Sequence, residues 1–145
     1  MPDYEYITKT EVQAVCRNIG IRDWSTNEIS KVDETEADII RRIIGGEALQ
    51  IPLDDFRLGL EIELEHGTRY VDANVSNNHP VLTGRIVLAH LKEGLDYYLR
   101  LQCMELEMEL SKALADGDLG KITKTDRELA EQRLKLQTRI VETLS

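Results

Sequence analysis

Two short segments carry residue types that could do chemistry: Glu61-Ile62-Glu63-Leu64-Glu65-His66 and His90-Leu91-Lys92-Glu93. In each, a glutamate and a histidine stand three residues apart, so on a helix they share one face. On facing helices, such pairs are how bundle proteins build dinuclear carboxylate–histidine centres. Glu63, His66, His90 and Glu93 are therefore the candidate metal ligands, for iron, manganese or zinc, with Tyr97 one helical turn beyond Glu93. The set is incomplete, because a dinuclear site also takes a Glu from each of two further helices and spacing names none. His66 stands at a helix terminus, whereas His90 lies about ten residues, or roughly 15 Å, into the next helix. The plainer reading gives His66 a favourable interaction with a helix C-terminus and His90 a hydrogen-bonded place on a packed flank, with no cofactor and no catalytic residue.

Other motifs lead away from chemistry. The segment from Ala115 to Asp126 has the look of a calcium loop, but Ala115, Gly117 and Leu119 fall where oxygen ligands are required, so it reads as a helix–helix turn. There is no nucleophile elbow, phosphate-binding glycine loop or dinucleotide fingerprint. Cys16 and Cys103 are far apart and form no CxxC pair.

The elements that must position these residues are helices. Capping-box spacings at Thr8–Glu11, Ser25–Glu28 and Thr125–Glu128 predict three helix starts, and Asp33–Glu36 divides the second region into two. Gly20 suits a helix C-cap. A helix after Pro52 runs from near Asp54 to Gly67 with Leu53, Phe56, Leu60 and Leu64 on one face, and residues 68–79 form a loop rich in Asn. Pro80 opens a single long helix to about Ala115, with apolar stripes on two sides: Leu88, Leu91, Leu95, Leu99 and Leu106, and Tyr97, Leu101, Met104 and Met108. Its solvent stripe includes Arg85, Lys92 and Asp96. A final helix from about Asp126 to Leu144 buries Leu129, Leu136, Ile140 and Leu144 and folds back as a hairpin. Gly59 and Gly94, inside helices, mark close helix approach. The expected fold is all-α: a small helical bundle with one long central helix, a long Asn-rich loop and a C-terminal helical hairpin. One domain spans 1–145, with N-terminal helices in 1–35, a core in 36–105 and the C-terminal helix in 117–145.

The quoted segments, from Phe56 to Gly67 and from Leu82 to Glu93 followed by Asp96-Tyr97-Tyr98, resemble an uncharacterised family of small bacterial and bacteriophage domains with ELEHG and AHLxE...DYY segments. The resemblance covers about residues 36 to 105. It implies an αα core with a long connecting loop and a phage or phage-derived source, and it brings no activity or ligand. His79, before Pro80, departs from it, since the family carries an acidic residue there.

Of 145 residues, 41% are hydrophobic and 31% charged, a balance suited to a folded domain, and the net charge of −9 is spread along the chain. No basic patch is present, so direct nucleic-acid binding is not expected. With no apolar run of membrane-spanning length and no secretory leader, the expected setting is cytoplasmic. The two-sided helix points to a non-enzymatic protein-interaction module that self-associates as a homo-oligomer. A small helical metalloprotein or metalloenzyme using the four His and Glu residues is the alternative, and an acidic decoy of nucleic acid a third class.

Overall fold

A computed structural model describes residues 6–26 and 28–145. Among these residues the structure has six α-helices and no strand: α1 Lys9–Ile19, α2 Glu34–Ile44, α3 Leu53–Arg69, α4 Pro80–Glu93, α5 Tyr97–Asp116 and α6 Leu119–Leu144. Short 3-10 turns occupy Gly46–Gln50 and Val71–Ala73. The chain divides into two compact units, Met1–Glu93 and Gly94–Ser145.

Local signals set several boundaries. At α1 the Thr8 hydroxyl accepts the Glu11 amide at 3.1 Å and Glu11 accepts the Thr8 amide at 2.8 Å, while Gly20 closes the helix in the left-handed conformation. Asp33 and Glu36 form the capping box of α2. The helix expected from Ser25 does not form: residues 21–33 are irregular among the described residues, and Ser25 is buried with its hydroxyl donating to Asp23 at 2.6 Å. The pattern Ser25–Glu28 lost to a long-range anchor. Glu36, 5% exposed, accepts hydrogen bonds from the Trp24 indole at 3.1 Å, from the Arg22 amide at 3.2 Å and from the Arg22 guanidinium, and so pins the preceding segment to α2.

The first unit packs α2, α3 and α4 around Ile40, Phe56, Leu60, Leu64 and Val87, with Val12 and Cys16 of α1 and Trp24 completing its buried set. Gly84 lets α4 pack tightly on α2. A Cβ built there would lie 2.6 Å from Ile40 Cγ2 and 2.7 Å from Ile44 Cδ1.

The expected single helix from Pro80 to Ala115 is interrupted at Gly94-Leu95-Asp96. Gly94 lowers helix propensity, and Asp96 favours a new N-terminus, where its carboxylate pairs with Arg100 one turn on at 2.9 Å. Gly94 is therefore a breaking residue and not a packing one; a Cβ there would meet only Asp96 Oδ1, at 3.1 Å.

In the second unit α5 and α6 form the C-terminal hairpin. Gly117 takes the left-handed turn at φ 67°, and the Asp118 side chain accepts the Lys121 amide at 3.1 Å, so α6 starts at Leu119 and not near Asp126. Thr125, expected as a cap, lies buried inside that helix. The hairpin seam holds Cys103, Ala113 and Leu129 with a polar pair, Gln132 Nε2 donating to Gln102 Oε1 at 2.9 Å. Leu144, expected in the core, is 82% exposed.

His79 stands where the α4 N-cap belongs. Its carbonyl accepts the Thr83 amide at 2.9 Å and its Nδ1 accepts the Leu82 amide at 3.3 Å, which an acidic residue would do equally well. Burial lowers the His79 pKa from its ordinary 6.5. The unfolded chain then takes up the proton first, so the cap's contribution is complete above about pH 6.5 and is lost as the pH falls through 6.5 towards the folded value. His79→Asp is expected to keep the cap, to raise stability by about 0.5 kcal/mol at neutral pH, and to flatten this dependence. Urea midpoints of both proteins at about pH 5.5 and pH 8 check it.

Candidate functional site

Packing of α3 beside α4 brings two of the four expected ligands together: His90 Nε2 lies 3.7 Å from Glu63 Oε1, both half-buried. His66 is half-buried in the last turns of α3, and Glu93 is exposed at the end of α4. Among the described residues no group of three or more His, Cys, Asp or Glu is arranged to hold a metal ion. What the structure makes of Glu63 and His90 is a polar contact between two helices.

The rest of the distinctive segments has a structural use. Glu61 accepts the Val32 amide at 3.1 Å, tying the irregular stretch before α2 to α3. Gly67 leaves room for the Asn78 carboxamide, whose Oδ1 occupies the place a Cβ would take and whose Nδ2 donates to the Leu64 carbonyl at 3.4 Å. Asn78 is 4% exposed and, like Asn77, adopts positive φ, a conformation asparagine tolerates better than most side chains. The Asn-rich loop thus satisfies a carbonyl near the end of α3 and turns the chain into α4.

That loop also builds a surface absent from the sequence-based expectations. Asn74 and Asn77 bond to each other twice, and Asn77 Nδ2 donates to the Ile7 carbonyl at 2.5 Å, fixing the N-terminal segment against the loop. Between them and α4 lies an open groove of about 680 Å³, lined by Tyr6 and Ile7, by Val75 and Ser76, and by Leu82, Arg85, Ile86 and Ala89. Its lining is almost wholly apolar. Tyr6, Val75 and Ile86 are 72%, 59% and 43% exposed, which is unusual for side chains gathered in one place. The sequence signal is Leu82, Ile86 and Ala89 at helical spacing; Arg85 between them reads as solvent-facing and conceals the stripe. The opposite wall comes from residues about 70 positions away, which no local pattern announces.

Electrostatically the groove is quiet. Among the described residues its single charged lining residue is Arg85, which is exposed and has no ion pair there. Burial pushes the Cys16 and Cys103 thiols above the usual thiol pKa, against the lowering a nucleophile needs. No helix among the described residues is long and apolar enough to cross a membrane.

Residues 12–107, well over half of the chain, match the family model described as "Protein of unknown function (DUF5661)". No curated protein and no solved structure matches the chain.

Proposed function

This chain belongs to the DUF5661 family, whose function is unknown, and from that premise we propose that it is a non-enzymatic helical protein-interaction module that self-associates. The observation that carries the reading is the apolar groove between α4, the Asn-rich loop and Tyr6–Ile7. An open groove with exposed aliphatic and aromatic walls suits a protein surface better than a small molecule, which is usually enclosed over most of its area. The hairpin adds Met104, Met108, Leu134 and Val141, each about half exposed or more. Truncating or charging the groove should therefore weaken association while leaving the core alone. Ile86→Asp is expected to shift the protein towards monomer in sedimentation velocity across a concentration series, with its circular dichroism unchanged. A wild-type protein that is monomeric at every concentration would sink the reading.

The Glu63–His90 contact supports the second reading, a carboxylate–histidine metalloprotein for iron, manganese or zinc. Metal analysis of protein purified without chelator decides between them. Stoichiometric metal that disappears in His90→Ala would replace the interaction reading with this one.

A further inference from the structure

The exposed stripe of α4 is self-complementary. Arg85 and Glu93 lie four residues before and four residues after Ala89, on the i±4n ridge that helices use in packing. All three are exposed, and among the described residues neither charge has an ion-pair partner. Ala89, the smallest side chain of the groove's helical wall, sits midway between the opposite charges. An isologous interface requires that residue i meet residue j while j meets i. In an antiparallel helix pair with its two-fold at Ala89, Arg85 of each copy lies level with Glu93 of the other.

We propose that the α4 face is the interface between two copies of this chain, crossing at Ala89, with reciprocal Arg85–Glu93 ion pairs at the two ends of the contact. The small residue at the centre lets the backbones approach, and Leu82 and Ile86 supply apolar cover beside the ridge. The charges fix the register: sliding one helix by a turn unpairs both ion pairs, and reversing it to parallel sets like charges level with one another, which selects against the wrong pairing. No residue outside the stripe is needed to complete the contact, which is why a second copy fits it better than an unrelated partner. Glu93, exposed at the end of α4, acquires a use here.

The inference rests on the self-association proposed above, and a charge-swap series separates the two. Sedimentation equilibrium would be run on the full chain and on Ile86→Asp, Arg85→Glu, Glu93→Arg and the double variant Arg85→Glu/Glu93→Arg, each with matching circular dichroism and melting curves. Each single charge reversal is expected to raise the dimer dissociation constant about tenfold or more, and the double variant to recover most of that loss. If Ile86→Asp dissociates the protein but the double variant is no better than the singles, the register is overturned while the self-association stands. If Ile86→Asp has no effect on an associating protein, the α4 face is not the interface and the inference falls with it.

Discussion

Replacing Glu36 with alanine is expected to cost about 3 kcal/mol of folding stability. Glu36 is 5% exposed, and its carboxylate collects the guanidinium and amide of Arg22, the indole N–H of Trp24 and the amide of Asp33. Removing it leaves Trp24, fully buried, with an unpaired donor, and an orphaned buried N–H costs roughly 1–3 kcal/mol. The Arg22 side chain is 47% exposed and can turn to water, so its share is smaller than a fully buried ion pair would give. Because Trp24 is the single tryptophan, urea unfolding followed by its fluorescence reads the change where it occurs. Acid adds a second check. Burial alone would raise the Glu36 pKa, but hydrogen bonds from Arg22, the Asp33 amide and Trp24, together with the Arg22 charge, hold it below the ordinary value of 4.5. A carboxyl depressed in the folded state stabilises above its unfolded pKa, and that contribution is lost as the pH falls from about 4.5 through the folded value. Wild type should lose stability in that window, and Glu36→Gln should lose less. A Glu36→Ala midpoint within error of wild type would mean that the segment before α2 is held by something other than this carboxylate.

The same residue explains what was legible in the sequence. Thr8–Glu11, Asp33–Glu36, Gly20 and Pro80 act within one turn of where they stand, so pattern alone places them and the all-α class follows. Ser25–Glu28 has equally good spacing, yet no helix follows, because Trp24 and Arg22 are drawn to a carboxylate more than ten residues away. Thr125–Glu128 fails for the opposite reason: the chain is already helical from the Asp118 cap, and a capping box acts only where the preceding backbone is not. Of the candidate ligands, Glu63 and His90 meet because α3 and α4 pack side by side, while Glu93 points to solvent beyond them. Only the helical wall of the groove, Leu82, Ile86 and Ala89, leaves a mark in the sequence, since the other wall depends on Asn77 reaching Ile7.

Two glycines of α4 and its end invite opposite outcomes. The sequence-based expectation names Gly59 and Gly94 as positions of close helix approach and passes over Gly84, where an added Cβ would fall within 2.7 Å of both Ile40 and Ile44 and within 3.5 Å of Phe56. Ile40 is completely buried, and its Cγ2 methyl branches directly from Cβ, so it cannot swing aside without moving α2. Gly84→Ala should gain up to about 1 kcal/mol in helix propensity and lose a comparable amount to the clash, leaving a small net change. Gly84→Leu has no such balance. Its side chain has no room between α2 and α4, and the expected loss is about 3 kcal/mol, at the upper end of ordinary overpacking. Gly94→Leu, facing only a movable carboxylate oxygen, should stay within about 0.5 kcal/mol of wild type. Chemical denaturation of the three variants side by side measures the ranking, and an equal loss at Gly84→Leu and Gly94→Leu would contradict the close α2–α4 approach at Gly84.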